Sequence, residues 1–267
     1  MILLAKTFDP KKDYSGWYLS EKLDGYRAIW DGFSKQMKSR NGNAFNIPQE
    51  IVNKLPTNII LDGELFISRN KFEDCSILKK KNVNLEEFLK KKIKYHVFDI
   101  ISLSNIKFKN KIHEIKNICS QYKFFLVFVK QIKVKDNLHI KKLFDELTKK
   151  GAEGIMLRDP ESISRFAEKY KRSNSLIKLK VQDDDEAIII GYNLSTSKKY
   201  YGLLKSFQCV LKKDKKIMFY VSGFSEDIRK NFRKTHPINT IITFSHNGFT
   251  SKKVPRHPRY KRIFCSV

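Results

Sequence analysis

The most informative segment of the sequence is Glu21-Lys22-Leu23-Asp24-Gly25-Tyr26-Arg27, which follows a strand-like segment from Trp17 to Ser20. An amine is a nucleophile only when it has lost its proton, and burial or neighbouring cations favour its neutral form. Gly25 allows the backbone to come close to a ligand, and Arg27 could bind a phosphate. The segment therefore indicates covalent chemistry at Lys22, and a surface turn that carries a lysine is the alternative.

The composition around this stretch is that of a folded, strongly basic protein. The chain has 267 residues, of which 41% are hydrophobic and 12% aromatic, which suits one large domain or two unequal ones and excludes a disordered tail. The net charge of +26 predicts a polyanionic partner, most simply nucleic acid. Codon usage in an AT-rich genome is an alternative source of part of the excess, because 43 of the basic residues are Lys and only 11 are Arg.

The basic charge is spread along the chain. Residues 1–180 have a net charge of +16 and residues 181–267 a net charge of +10, so the partner is expected to contact both parts. The longest apolar run, Phe124 to Val129, is far too short to cross a membrane, and the N-terminus has no signal-peptide pattern. The four cysteines are far apart and the histidines lack metal-binding spacing, which predicts reduced thiols and no zinc site.

Mixed strand and helix signals occupy the first 180 residues. Apolar runs bounded by turn residues predict strands at about 26–31, 58–67, 94–101, 153–158 and 176–180. A helix is predicted from about Leu138 to Lys150 with Gly151 as its stop, and another begins near Asn84, where Glu87 has capping-box spacing. We therefore expect an α+β or α/β domain over residues 1–180.

The pattern changes after Lys180. An acidic run, Asp183-Asp184-Asp185-Glu186, is a poor candidate for core and is followed by the apolar segment Ala187 to Tyr192. Further short strands are predicted at 202–211, 216–222, 239–246 and 260–264 with few helical signals. Short strands at this spacing fit a small all-β barrel of the OB type over residues 181–267.

The stretch around Lys22 resembles the nucleophile motif of the covalent nucleotidyltransferases, which comprise ATP-dependent DNA ligases, RNA ligases and mRNA capping enzymes. Five further segments resemble the rest of that family's series, in order and at similar spacing: Ser39-Arg40-Asn41-Gly42, Leu61-Asp62-Gly63-Glu64-Leu65, Tyr95-His96-Val97-Phe98-Asp99, Glu153-Gly154-Ile155-Met156-Leu157-Arg158 and Leu176-Ile177-Lys178-Leu179-Lys180. The resemblance covers essentially the whole chain. It implies an α+β nucleotidyltransferase (ATP-grasp-like) domain, residues 1–180, followed by the OB-fold barrel.

The resemblance also implies roles for individual residues. Those implied in catalysis are Lys22, Asp24, Arg27, Lys178 and Lys180. Those implied in binding the nucleotide are Ser20, Glu21, Lys22, Arg27, Arg40, Glu64, Phe98, Lys178 and Lys180. Glu64 and Glu153 are the implied metal ligands. Arg158 is a candidate contact to the ribose, the phosphates or the nick in DNA, and an unspecific basic surface is the alternative.

Elementary chemistry agrees with these roles and leaves alternatives open. Phe98 can stack on a purine, or can be an ordinary core aromatic. Glu64 and Glu153 flank apolar strands, where a carboxylate is costly unless it serves a ligand or metal, although an exposed strand-end acid is the alternative. Lys178 and Lys180 share one face of a strand and can bind the α-phosphate, or can belong to a solvated basic face.

The C-terminal segments resemble the OB domain of minimal ATP-dependent DNA ligases. These segments are Phe219 to Ser225, Asn247 to Thr250 and Val254 to Tyr260. Arg256 and Arg259 lie where the last motif of that family sits, which implies contact with the pyrophosphate leaving group or with DNA; solvated charge is the alternative.

The sequence thus predicts an enzyme that joins nicks in duplex DNA with ATP, through an AMP adduct on Lys22 and with Mg²⁺ or Mn²⁺. An RNA ligase, a capping guanylyltransferase and a non-enzymatic basic DNA-binding protein are the alternatives. We expect a monomer without a membrane partner, in a cytoplasmic or nucleoid-associated compartment of a bacterial or viral system.

Overall fold

The computed structural model describes residues 2–80, 83–101, 104–164, 170–181 and 183–264, without the side chain of Tyr170. The chain divides into two compact units, Met1–Lys180 and Val181–Val267. Cys265 lies outside the described residues, and Cys75, Cys119 and Cys209 are buried free thiols. Within the described part of the chain, no helix has both the length and the apolar composition needed to cross a membrane.

Two five-stranded sheets form the framework of the first unit. Its described strands are β1 (Ile2–Thr7), β2 (Tyr18–Lys22), β3 (Tyr26–Asp31), β4 (Gln36–Ser39), β5 (Ile60–Phe66), β6 (Lys94–Ile100), β7 (Leu126–Phe128), β8 (Ile132–Lys133), β9 (Gly154–Arg158) and β10 (Tyr170–Lys180). The pocket sheet has the order β1-β10-β9-β2-β8, and the central sheet has the order β4-β3-β5-β6-β7. Each sheet has one parallel pair, β1 with β10 and β6 with β7, and is otherwise antiparallel.

The described helices of this unit are α1 (Gln49–Val52), α2 (Leu85–Lys90), α3 (Phe108–Gln121) and α4 (Asn137–Lys149), with a 3-10 segment at Phe72–Lys79. Two of them, α2 and α4, begin directly after residues whose side chains cap them. The side chain of Asn84 accepts a hydrogen bond from the amide of Glu87 at 2.7 Å, and Asp136 accepts one from the amide of His139 at 2.7 Å. The predicted helices near Asn84 and over 138–150 are thereby confirmed.

The central sheet is held by two aromatic side chains that are fully buried. The indole of Trp30 donates to the carbonyl of Pro56 at 2.8 Å. The hydroxyl of Tyr95 lies 2.9 Å from the carbonyl oxygen of Ala28 and 2.8 Å from that of Leu61, and so links β6 to both β3 and β5. Because these polar atoms have partners, the large rings can be buried without an unsatisfied group.

One antiparallel sheet and one helix form the second unit. The described elements are β11 (Asp183–Leu194), β12 (Leu204–Leu211), β13 (Met218–Val221), α5 (Glu226–Thr235), β14 (Ile241–His246) and β15 (Arg259–Ile263), with a 3-10 turn at Lys198–Tyr200. The sheet order is β13-β12-β11-β14-β15, and every pair is antiparallel. The core is apolar and includes the fully buried Ile189, Phe207, Val221 and Phe244.

Two features of this unit differ from the sequence-based expectation. Helix α5 was not predicted, although Ser225 caps it by accepting from the amide of Ile228 at 3.3 Å. The acidic run lies within β11, where it forms a ladder with β14, because lysines neutralise it. Asp184 pairs with Lys261 at 2.7 Å, Glu186 pairs with Lys212 at 2.7 Å, and Asp185 pairs with Lys213.

Candidate active site

Lys22 is the last residue of β2, in the interior of the pocket sheet. Strand β9 pairs with β2 so that Lys22 lies opposite Gly154. A Cβ at Gly154 would lie 2.2 Å from the carbonyl oxygen of Leu179, so a side chain is excluded at this position. Pairing with β9 therefore fixes the backbone of Lys22. The loop that follows Lys22 ends where β3 begins, at Tyr26.

Gly25 has a different role from the one that the sequence suggested. A Cβ there would lie 2.3 Å from the carbonyl oxygen of Leu65 and 3.0 Å from the side chain of Glu64. The glycine therefore permits close approach of the loop to β5 of the protein itself, rather than to a ligand. This contact brings the Lys22 loop beside Glu64.

The ammonium of Lys22 donates to the carboxylate of Glu153, the residue that precedes β9. Both side chains are partly exposed, with 24% of the Lys22 side chain and 17% of the Glu153 side chain accessible. A lysine nitrogen attacks only after it has lost its proton. Glu153 is thus the first group to which Lys22 can pass its proton when it becomes a nucleophile.

A cavity of about 300 Å³ adjoins Lys22. Nine of the predicted site residues line it: Ser20, Glu21, Lys22, Arg27, Arg40, Glu64, Phe98, Arg158 and Lys178. Eight further residues complete its wall: Leu4, Ala5, Leu23, Phe108, Gln131, Met156, Arg172 and Leu176. The wall combines cationic side chains with aromatic and aliphatic ones, which suits a ligand with a phosphate part and a planar apolar part.

Strand β10 contributes Arg172 and Lys178 to the cationic side of this cavity. Lys178 lies opposite Met156, and Lys180 lies opposite Gly154 in the same ladder, so both lysines share a face with Lys22. Burial lowers the pKa of Lys178, and the nearby charges of Lys180, Arg172 and Lys22 lower it further. Such a concentration of positive charge is unfavourable unless an anion binds there.

Arg27 is held inside the protein more firmly than the sequence suggested. Its guanidinium donates to both carboxylate oxygens of Asp62, at 2.9 Å and 2.5 Å, and to the carbonyl of Leu3 at 2.8 Å. The bidentate pair with Asp62 joins β3 to β5, and the bond to Leu3 joins β3 to β1. Arg27 therefore presents only the rest of its guanidinium to the cavity, and its first role is to hold the wall in place.

Glu21 is likewise bound by an arginine that sequence reasoning missed. Both carboxylate oxygens of Glu21 accept from Arg69, each at 2.8 Å, and Arg69 also donates to the carbonyl of Lys150 at 3.0 Å. The pairing residues are 48 positions apart, so no local pattern could have identified it. This ion pair fixes β2 next to the nucleophile.

Arg158 is buried, in contrast to the DNA contact that the sequence predicted. Its guanidinium donates to Asp99 at 2.7 Å and to Ser162 at 2.9 Å, and lies over the ring of Phe108, 4.4 Å from its centroid. Only 6% of the residue is exposed. The structure therefore favours a role for Arg158 in holding the cavity wall over one in binding DNA.

The centre of this buried network is Asp99, the neighbour of Phe98. Lys111 of α3 lies 3.4 Å from Asp99 and donates to Ser164 at 2.9 Å and to the carbonyl of Ile100 at 2.7 Å. Burial raises the pKa of the Asp99 carboxyl, but Arg158, Lys111 and Ser164 outweigh burial, so the pKa lies below its usual value. Lys111 and Ser164 lie outside every motif and had no sequence signal.

We expect Lys111→Met to destabilise the protein by about 3 kcal/mol, because it removes one partner from a buried charge cluster. The free energy of unfolding in urea measures this. Lys116→Met is the matched control, since Lys116 lies on the exposed face of the same helix and should change stability by less than about 0.5 kcal/mol. Equal stability of the two variants would contradict the structural role of Lys111.

Glu64 faces the cavity from β5. Burial raises the pKa of its carboxyl to about 8, and the positive charges of Lys22 and Arg27 offset only part of that effect. Glu64 is therefore protonated at neutral pH when the cavity holds no ligand. A bound cation would favour the ionised form.

This pKa predicts that stability falls as the pH rises. The folded state retains a proton on Glu64 up to about pH 8, whereas the unfolded chain loses it near its ordinary value of 4.5, so folding is favoured below 4.5 and loses stability above it. Between pH 6 and pH 8 we expect wild type to lose up to about 2 kcal/mol relative to Glu64→Gln. Denaturation at both pH values, with a chelator present, measures this difference, and parallel pH profiles of the two proteins would refute it.

The residues implied in metal binding, Glu64 and Glu153, are two carboxylates that both interact with Lys22. Within the described residues, no group of three or more acidic, histidine or cysteine side chains could hold a metal by itself. Glu64 and Glu153 nevertheless repel each other electrostatically, and both interact with Lys22. One or two carboxylates completed by phosphate oxygens and water are a usual magnesium site, so the donor set fits a cation that binds with a phosphate.

Five predicted residues do not line the cavity: Asp24, Glu153, Lys180, Arg256 and Arg259. Asp24 is partly exposed in the Lys22 loop, and its charge adds to burial in raising the pKa of Cys75 to about 11. Arg256 and Arg259 belong to the second unit. The side chain of Arg259 packs on Gly223, where a Cβ would lie 2.9 Å from it, and the backbone of Arg256 bonds to Asn247 and Gly248.

Comparison with known families agrees with the chemistry of this cavity. Residues 4–180 match the family described as ATP dependent DNA ligase domain, and residues 197–263 match the DNA ligase OB-like domain. The chain belongs to the ATP-dependent DNA ligase family. The ligase is therefore an enzyme that uses ATP, with a nucleotidyltransferase core and an OB-like domain, and the predicted fold and function are confirmed over the alternatives.

Individual relatives extend along nearly the whole ligase chain. A DNA ligase of Haemophilus influenzae is 28% identical over 264 residues, which are 98% of this chain and 91% of that protein. The solved structure of a Lig E DNA ligase is 26% identical, covers 98% of both chains and has a TM-score of 0.84. The Chlorella virus DNA ligase-adenylate, at 21% identity, a TM-score of 0.53 and 100% and 98% coverage, shares the fold.

Proposed function

We propose that Lys22 is the nucleophile of the ligase. The observation that carries this proposal is the position of its ammonium, paired with Glu153 at the edge of a cavity that also holds Lys178 and Phe98. After Glu153 accepts its proton, the Lys22 nitrogen forms a bond to the α-phosphorus of ATP. The bond from that phosphorus to the bridging oxygen breaks, and pyrophosphate leaves.

The lysyl–AMP then serves as the donor for DNA. An oxygen of the 5′-phosphate at a nick attacks the AMP phosphorus, the phosphorus–nitrogen bond breaks, and Lys22 regains a proton. The 3′-hydroxyl then loses its proton to water and its oxygen bonds to the 5′-phosphorus. The bond from that phosphorus to AMP breaks, and AMP leaves. Lys178 and Lys180 stabilise the negative charge that develops on the adenylyl phosphate, because they share the face of Lys22.

The remaining cavity residues bind and orient the nucleotide. Phe98 stacks on the purine, and Arg40, which is exposed at the cavity rim, contacts the ribose or phosphates. A divalent cation, Mg²⁺ or Mn²⁺, held by Glu64 and Glu153, would supply charge neutralisation at the phosphates. Asp24 and Ser20 shape the loop and strand on either side of the nucleophile.

Nicked duplex DNA is the proposed second substrate. The net charges of +16 and +10 on the two parts of the chain support contact of both with the phosphate backbone, with Arg256 and Arg259 as candidates in the second. We infer a division of labour in which residues 1–180 transfer the adenylyl group and residues 181–267 form the OB-fold domain. A monomer is sufficient, since one chain supplies the whole cavity, and a cytoplasmic or nucleoid-associated compartment supplies both substrates.

Radiolabelled ATP and GTP test this function directly. The protein is incubated with each nucleotide and a divalent cation, and a nicked DNA duplex or a nicked RNA duplex is then added. We expect a covalent band from ATP alone and a sealed product from DNA. A band from GTP, or sealing confined to RNA, would overturn the substrate assignment.

A further inference from the structure

Three strands of the pocket sheet, with the residue that precedes β8, place four side chains in one row of the cavity wall. Ser20 of β2 lies opposite Met156 of β9, which lies opposite Lys178 of β10. On the other side of β2, Leu19 pairs with Ile132, and the same antiparallel register brings Gln131 beside Ser20. All four residues line the cavity.

This row lies two residues before Lys22 along β2, or about 6.6 Å at the usual rise of a strand. The α-phosphate must reach Lys22 and the cationic residues near it. The base is joined to that phosphate through the ribose, so it extends away from Lys22 towards Ser20 and Gln131. Phe98 of the central sheet lines the same cavity. If its ring stacks on the face of the base, the edge of the base is left for Gln131.

The carboxamide of Gln131 has a fixed orientation, because one of the two N–H groups of Nε2 donates to the carbonyl of Val129 at 3.0 Å. The carbonyl oxygen Oε1 is then the atom that remains to accept a hydrogen bond from a ligand. Gln131 is partly buried, so such a bond would be shielded from water.

The neighbouring polar groups cannot supply the same selectivity. The Ser20 hydroxyl can rotate to donate or accept and so does not discriminate between an amino group and a carbonyl. Both carboxylate oxygens of Glu21 are bound to Arg69. Met156 is apolar and Lys178 is a cation, so Gln131 presents the oriented acceptor in this row.

We propose that Oε1 of Gln131 accepts a hydrogen bond from the exocyclic amino group of adenine, and so selects ATP over GTP. Adenine carries a donor at this position, whereas guanine carries a carbonyl oxygen, which would face another acceptor. The inference rests on the proposed nucleotide site at Lys22. Gln131 belongs to none of the motifs around Lys22 and lies in the connection between β7 and β8.

A cycle of protein and nucleotide variants tests the proposal. The second-order rate constant for covalent labelling is measured with three nucleotides: ATP, GTP, and purine riboside triphosphate, which lacks the amino group. Wild type should lose about 10-fold from ATP to purine riboside triphosphate. In Gln131→Met the rate constant for labelling with ATP should fall about 10-fold and should equal that for purine riboside triphosphate. The ratio of the rate constants for ATP and GTP should fall at least 10-fold.

Three controls separate the possible results. Gln36→Met, at an exposed position on β4, should retain the wild-type preferences. Gln131→Asn keeps the amide on a shorter side chain and is the substitute test if Gln131→Met does not fold. It should also lose the preference for ATP over purine riboside triphosphate. If Gln131→Met keeps the wild-type preference, the proposal is wrong; if wild type is not labelled, or Lys22→Ala still is, the proposed site itself is wrong.

Discussion

Lys22→Ala is expected to abolish covalent labelling by ATP, with a loss of at least about 10⁴-fold, because no other group can replace the nucleophile that forms the intermediate. Labelling in a denaturing gel measures the adduct, and the thermal melting profile checks that the variant is folded. Lys22→Arg should fail equally. It retains a cation for Glu153, but arginine stays protonated, so its failure would show that the loss does not come from the broken ion pair.

Sealing of a nick that already carries AMP should survive in Lys22→Ala, because the last step needs no lysine nucleophile. Lys116→Ala is the matched control for the loss of one positive charge, since Lys116 is exposed on α3, and it should be labelled as wild type is. A stable adduct in Lys22→Ala at wild-type level would place the nucleophile elsewhere and remove the basis of the proposed mechanism.

The sequence could predict the cavity residues that lie within short motifs. Lys22 ends β2, whereas Glu64, Phe98 and Lys178 lie within β5, β6 and β10. The alternation of side chains along each strand predicts which of its residues share a face. The strands at 26–31 and 94–101 were predictable for the same reason, and β3 and β6 lie there. Local periodicity is therefore sufficient to predict a site residue when the same strand also has buried apolar side chains.

The supporting residues could not be predicted, because long-range pairing determines their roles. Arg69 bonds to Glu21 across 48 positions, and Lys111 bonds to Ser164 across 53. In the chain, Arg69 and Lys111 look like two more basic residues on a basic surface. Only the fold buries Lys111 beside Asp99, where an unpaired charge would be costly.

The missed elements have a similar explanation. Helix α5 is short and highly charged, with Ile228 and Phe232 as its apolar side chains towards the core, and its strongest local signal was the cap at Ser225. The acidic run of β11 has the composition of a loop, and the lysines that neutralise it are distant in the sequence. In both cases the determining contacts come from elsewhere in the second unit.

Glu153→Gln is expected to slow covalent labelling by about 10²–10⁴-fold, because it keeps the shape of the side chain but removes the acceptor for the Lys22 proton and one proposed cation ligand. Stability should change by less than about 1 kcal/mol, since the ion pair is partly exposed. Glu161→Gln is the matched control: Glu161 pairs with Lys107 and Lys109 at 2.6 Å outside the cavity and should leave labelling unchanged.

The two roles of Glu153 make different predictions for the variant. If the carboxylate accepts the proton, raising the pH should restore labelling, because hydroxide in solution can then deprotonate Lys22. If its main role is to hold the cation, a higher concentration of Mg²⁺ or Mn²⁺ should restore labelling at constant pH. A variant within threefold of wild type under all these conditions would show that the ion pair seen with Lys22 is not part of the reaction.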